Sequence, residues 1–390
     1  MFLEFGLKSR IVLAMVLSLG LAGCAAQSHS LYDAIPAEEK AIAAEHSILI
    51  ATSRGKAANP ADVFDGSRAD DLSYARVNVT IPAVHQAGKV EQPGSGQKRD
   101  AAKHFAPSEV AVYRDGDAFK AELKKRLKQT QGRALIFIHG YRTLFDDSVY
   151  RAAQIIHDSG YKGTPVLFSW ASTGRTVDYI YDNNSATMAR DGLERTLRTL
   201  RDAGATRIDV VAHSMGNWLT MEALRQFAIS GEKQSALGLG DVVLASPDID
   251  VDVFKSQLRR IGKPERPFIV MVSRDDRALL VSSIIAGSRP RVGDYGDDKA
   301  LAELGIITVD VSSLSSGDSF NHARFADNPL LIQLLGERLN AGDDFGGSGD
   351  QISRSIGRLT RGVGRTLGSA AEIVITTPFE VINIAVGGER

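Results

Sequence analysis

The chain contains one cysteine, Cys24, in 390 residues. That excludes a disulfide framework and any zinc site built on paired cysteines. An excess of positive charge is missing as well: 46 Lys and Arg stand against 47 Asp and Glu, a net charge of −1, so the bulk composition gives no electrostatic footprint for a nucleic acid. There is no phosphate-cradling Gly-rich motif, no zinc-ligand spacing and no internal repeat. No cofactor or metal is called for by any motif. What is present, 43% hydrophobic residues, suffices for one sizeable core.

The apolar run at 11–21 follows Lys8 and Arg10 and is too short to span a bilayer, which takes roughly 20 residues. Cations, an apolar stretch and then small residues are the plan of a secretory signal. Its end, Leu21-Ala22-Gly23-Cys24, resembles the lipobox of bacterial lipoproteins. The resemblance implies a signal peptide over 1–23, lipidation of Cys24, and a mature chain with no thiol, stabilised by packing alone. Ala25 in place of Asp after the cysteine implies an outer-membrane anchor facing the periplasm of the bacterial cell envelope.

Residues 24–45 read as a tether. Beyond them, "SILIAT", "ARVNVTIP", "RALIFIHG", "TPVLFSW", "RIDVVAHS", "DVVLAS", "PFIVMVS" and "GIITVDVS" are short runs rich in Ile, Val or Thr, as strands are. Helical spacing separates most of the later ones, around 115–128, 186–203, 215–229 and 253–261. Apolar strands alternating with amphipathic helices predict an α/β domain over 46–340, with a mostly parallel sheet covered on both faces and no large cap domain. Residues 341–390 read as a Gly/Arg-rich tail. In it Ile352, Ile356, Leu359, Val363 and Leu367 share one helical face and Arg354, Arg358, Arg361 and Arg365 the other. Gly357 and Gly362 each cost roughly 1 kcal/mol of helix, so this segment needs a surface, lipid or protein, to lie on.

The stretch "VVAHSMGN" ends a strand on Ser214 and opens a helix. This is the plan of a nucleophile elbow, with Ala212 in place of the usual first glycine. A serine nucleophile needs a base and the base an orienting acid, each in a loop after a later strand. His322 is the only histidine after Ser214. Asp276 is the favoured acid; Asp275 and Asp248 also follow strands and stay open. Two N–H donors must stabilise the oxyanion; Met215 would give one and Tyr141, in the loop after "LIFIHG", the other. His139 in that loop is expected to shape it rather than to transfer protons. Trp170, Tyr179 and Tyr181 either line the pocket or pack. Asp248, Asp250 and Asp252 alternate like a metal loop but precede a helix start, which favours capping.

The motifs "FIHGY", "LFSWAS", "AHSMGN", "ASPDIDVDVF", "SRDDRALLVS" and the final "NH" resemble, in order, those of a bacterial α/β-hydrolase family of unknown function, over 48–339. The resemblance implies the α/β-hydrolase fold, with Ser214 as nucleophile, His322 as base and Asp276 as acid, and it brings no substrate. The expected activity is cleavage of a carboxylic ester or related acyl bond on a small or lipid-like acyl substrate, without nucleic acid. Acyl transfer by the same triad and a catalytically silent scaffold or binding module are the alternatives.

Overall fold

The computed structural model describes residues 30–231, 234–340 and 371–386. Cys24 and the segment 352–367 lie outside the described residues. The chain first lays down three long strands, β1 (Ile42–Lys56), β2 (Phe64–Pro82) and β3 (Ala106–Val112), then α1 (Gly116–Gln129). Alternation follows: β4 (Arg133–Ile138), α2 (Phe145–Asp158), β5 (Thr164–Ser169), α3 (Tyr179–Met188), α4 (Arg190–Asp202), β6 (Arg207–His213) and α5 (Met215–Ile229). After these come β7 (Leu239–Ala245), α6 (Val251–Ile261), β8 (Ile269–Val272), α7 (Arg277–Ile285), α8 (Asp298–Ala302) and β9 (Ile307–Asp310). The described chain closes with α9 (Arg324–Asp327), α10 (Pro329–Asn340), β10 (Ala371–Thr376) and β11 (Val381–Val386).

All eleven strands form one sheet in the order β11-β10-β9-β8-β7-β6-β4-β5-β1-β2-β3. The seven from β9 to β1 pair in parallel; β2 and β3 at one edge and β10 and β11 at the other are antiparallel. Parallel strands need both faces covered, and β4 shows how the sequence meets that need. Ala134, Ile136 and Ile138 enter one core, whereas Leu135 and Phe137 enter the other, as the two-residue period of a strand requires. On the first face α1 contributes Phe119, Leu123 and Leu127, α4 Leu193, Leu197 and Leu200, and α6 Phe254 and Leu258. On the second, α2 contributes Phe145, Val149 and Ile155, and α10 Leu331, Leu335 and Leu339.

Three sequence expectations change in the structure. The helix expected over 186–203 starts earlier, at Tyr179, and is divided at Ala189 into α3 and α4. Part of the expected tether packs on the domain: Leu31 is buried, its N–H donates to the Ala61 carbonyl at 2.9 Å, and β1 begins at Ile42. The tail also supplies two sheet strands. β10 pairs with β9, and its alternate residues Ile373 and Ile375 are fully buried in the second core. The Gly- and Arg-rich stretch before them dominates the composition and hides that alternation.

The C-terminal ends of the parallel strands lie along one edge of the sheet. Loops after β4, β6, β7, β8 and β9 therefore meet there, where α/β sheets bind ligands.

Candidate functional site

Ser214 follows the last residue of β6 and serves as the N-cap of α5, with φ 52° and ψ −123°. For a non-glycine residue this is a strained conformation that persists only when its surroundings over-determine it. They do. The Ser214 N–H donates to the Ala245 carbonyl at 3.0 Å. Its own carbonyl accepts from Asn217 N and Asn217 Nδ2, both at 3.0 Å, and from Asp248 N at 3.3 Å. Close approach of helix and strand completes the elbow. A Cβ on Gly216 would lie 2.4 Å from the His139 carbonyl oxygen, and one on Gly140 would lie 2.9 Å from the Ser214 Cβ.

Three carboxylates lie near this edge, and their partners separate them. Asp276 accepts from His322 Nδ1 at 2.7 Å with one oxygen, and with the other caps α7 through Ala278 N and Leu279 N, both at 3.0 Å. Asp275 is gripped in bidentate fashion by Arg324, at 2.9 Å to each oxygen. Asp248 accepts from Tyr179 at 2.9 Å and from the Ser282 hydroxyl, and pairs with Arg291 at 3.2 Å. Only Asp276 among the three hydrogen-bonds the His322 ring. Burial disfavours the charged ring of His322, but the hydrogen bond to Asp276, then the charges of Asp276, Asp248 and Asp318, outweigh it and raise its pKa above the usual imidazole value.

The loop carrying His322 is held against the serine turn. His213 Nε2 donates to the His322 carbonyl at 3.2 Å and the Ser246 hydroxyl to the same oxygen at 3.3 Å. Asp318 accepts from the His322 N–H at 3.1 Å. The rings of His213 and His322 are 4.7 Å apart, so His322 sits beside the residue that immediately precedes Ser214.

Met215 is the first residue of α5, and the N–H groups of a first helical turn have no intrahelical partner. In the loop after β4, the Arg142 N–H is taken by Asp182 at 3.1 Å and the Thr143 N–H by the Ser172 hydroxyl at 2.9 Å. The Tyr141 N–H makes no hydrogen bond to a described residue. This loop rests on Arg54, which has no solvent exposure and uses all five N–H donors: Nε to Ser169 Oγ at 2.8 Å, Nη1 to the carbonyls of Ser172 and Asp65 at 2.7 and 3.2 Å, and Nη2 to the Thr143 carbonyl and His139 Nε2 at 2.7 and 3.3 Å. Burial pulls the Arg54 pKa down to about 10, so it stays charged at neutral pH.

His139 is consequently locked. Its Nδ1 donates to the Gly140 carbonyl at 2.8 Å, its Nε2 accepts from Trp170 N at 3.1 Å as well as from Arg54, and its ring stacks on Trp170. Burial and the Arg54 charge hold its pKa well below the imidazole value, so the ring shapes the loop. Trp170 is fully buried and packs; Tyr181 bonds the Gly66 carbonyl at 3.1 Å beneath Arg68. Asp250 caps α6 through Asp252 N and Val253 N. Asp182 and Asp318 lie in no motif, and the roles of Arg54 and Asn217 appear only in their contacts.

A family model for alpha/beta hydrolases of unknown function (DUF900) matches residues 115–338, more than half of the chain. The chain belongs to this family. No curated protein matches it. In this α/β hydrolase a cavity of about 260 Å³ lies behind the site, lined by Gly140, Arg142, Asp147, Arg151, His213 and Phe325 among others. It touches the neighbours of Ser214 and Tyr141 rather than those residues themselves. Among the described residues, His85, His157 and Asp158 bring potential metal-ligand atoms within 4.8 Å of one another. There His85 already bonds carboxylates with both nitrogens, Glu91 at 2.8 Å and Asp158 at 2.7 Å. This trio ties α2 to the loop after β2, apart from the serine.

Gly216→Ala should push α5 away from β4, because the obstructing atoms are backbone oxygens. We expect a loss of about 1–3 kcal/mol of unfolding free energy; urea unfolding at wild-type stability would refute the close approach.

Proposed function

We propose that this hydrolase cleaves a carboxylic ester or related acyl bond through an acyl-enzyme on Ser214. One observation carries the reading: the 2.7 Å hydrogen bond between His322 Nδ1 and Asp276. With that proton on Nδ1, the lone pair of the neutral ring is on Nε2. Nε2 then takes the Ser214 hydroxyl proton as the oxygen attacks the substrate carbonyl. Negative charge grows on the carbonyl oxygen, to be met by the N–H groups of Met215 and Tyr141, held rigid by α5 and by the Arg54-supported loop. The protonated ring returns its proton to the departing alcohol, and water, deprotonated by the same nitrogen, releases the acid.

Three expectations test this chemistry. The purified chain should react covalently with a fluorophosphonate probe, and Ser214→Ala should abolish the labelling; equal labelling of both would remove Ser214 from the mechanism. Turnover of an activated ester should rise with pH as His322 loses its proton. Because the folded pKa is raised, the midpoint should lie above the free-imidazole value of about 6.5. Asp276→Asn should lower kcat by roughly 10³–10⁴-fold by losing the tautomer control that the carboxylate gives, whereas Asp275→Asn should leave it within a few-fold. A pH profile flat from 5 to 8 with chemistry rate-limiting would exclude a histidine base.

Cys24 fits this reading as the lipid anchor of an envelope enzyme, the support being the order of cations, apolar run and Leu21-Ala22-Gly23-Cys24. Cys24→Ser should move the protein from the membrane fraction to the soluble fraction. Unchanged fractionation together with an unmodified Cys24 by mass spectrometry would rule the anchor out.

A further inference from the structure

Helix α7 buries Leu279 and Ser282 but turns most of its large apolar side chains outward. Leu280, Val281, Ile284 and Ile285 are 50–63% exposed, whereas Ser282 is buried, its hydroxyl donating to Asp248. The four apolar residues fall at i, i+1, i+4 and i+5, one continuous stripe of helix surface. Scattered exposed leucines need no explanation, but a contiguous stripe facing water does.

Its location narrows the occupant. α7 begins at Asp276, the residue bonded to His322. Its N-terminal residue Arg277 holds the carbonyl of Phe320, itself 48% exposed, at 2.9 Å. Beside it, Tyr179 at the start of α3 bonds Ser282 at 2.8 Å and so brings near Val177 and Ile180, 73% and 63% exposed. The apolar surface thus flanks the serine edge of the sheet. The exposed charges on the helix and the turn after it are cationic: Arg277 and Arg289 are exposed, whereas Arg291 is buried against Asp248 at 3.2 Å. Beside Val177, Arg142 is exposed and bonds the Thr176 hydroxyl at 3.2 Å, and the exposed Arg175 lies 3.6 Å from Asp178, so this edge carries a net excess of cations rather than one sign alone. An apolar face edged by cations matches an anionic bilayer, where side chains enter the acyl boundary and arginines meet headgroup phosphates. A protein groove of mixed charge would not select this pattern.

We propose that the outer face of α7, with Val177, Ile180 and Phe320, is a docking surface for an anionic lipid bilayer, and that the acyl substrate reaches Ser214 from that surface. The second half rests on the ester-hydrolase reading; the first does not. Docking this face would place the mouth of the site at the lipid boundary, so that an acyl ester moves from bilayer to serine without crossing water.

The test separates the two halves. An environment-sensitive dye is attached to Ile284→Cys in the full chain carrying Cys24→Ser, so that it has one attachment point, and a control carries the dye at Lys125→Cys on α1. With phosphatidylglycerol vesicles the dye at 284 should shift to the blue, less so in high salt, while the dye at 125 stays unchanged. No shift at 284, equal shifts at both positions, or an apolar environment at 284 before vesicles are added would overturn the proposal. The last outcome would mean that another part of this chain or a second copy already covers the face. In the second arm, Leu280→Ser with Ile284→Ser should slow hydrolysis of a long-chain ester presented in vesicles by about tenfold or more while leaving a soluble short-chain ester within about twofold. Equal loss on both substrates would overturn delivery from the surface. Docking without turnover of either ester by the wild type would sink the hydrolase reading and leave the docking surface standing.

Discussion

A guanidinium sealed from water must find a partner for each of its N–H groups, and Arg54 does so with five acceptors drawn from β2, β5 and the loops after β4 and β5. Leaving any of these donors unmatched would cost about 1–3 kcal/mol or more for a charged group, so the acceptors are fixed in place together. The consequence reaches the chemistry edge of the sheet. With Thr143 O and His139 Nε2 fixed by Arg54, and the N–H groups of Arg142 and Thr143 held by Asp182 and Ser172, little freedom remains for the backbone at Tyr141. Preorganisation of this kind lets a donor act without reorganising during reaction.

The serine turn applies the same logic with neutral groups. Asn217 reaches back one helical turn to hold the Ser214 and Ala245 carbonyls at 3.0 and 2.8 Å, so the strained residue is clamped to two neighbouring strands at once. Asp276 links this rigid frame to the more exposed side of the molecule. One of its oxygens holds the His322 ring and the other caps α7, coupling that ring to the helix whose apolar face meets solvent. That coupling makes the polarity of α7 intelligible: its inward side carries Leu279 and Ser282, the latter bonded to Asp248, which leaves Leu280, Val281, Ile284 and Ile285 outside.

Much of this was legible beforehand. Apolar runs such as "RALIFI" and "RIDVVAH" announce strands buried on both faces, and "AHSMGN" announces the sharp strand-to-helix turn found at Ser214. The sequence favoured Asp276 but left Asp248 and Asp275 open, since all three follow strands and differ in what lies across from them. The side chains of Arg291, Arg324 and His322 decide it, and Arg291 is 43 residues from the carboxylate it engages and Arg324 is 49. α2 shows no clear amphipathic stripe in the sequence because most of its residues are buried, Asp146, Ser148 and Gln154 included.

By itself the sequence determined the class of fold, because strand and helix periods are local, one-dimensional properties, and it set Ser214, Asp276 and His322 in the chain order that a serine hydrolase would use. It also determined that no disulfide holds this chain, since one cysteine cannot pair with itself. Tertiary structure alone decided which carboxylate meets His322, that Arg54 supports the loop of Tyr141, and that the strands at 371–386 extend the sheet. Each of these depends on groups brought together from distant parts of the chain, where packing geometry selects among residues that look equivalent in sequence.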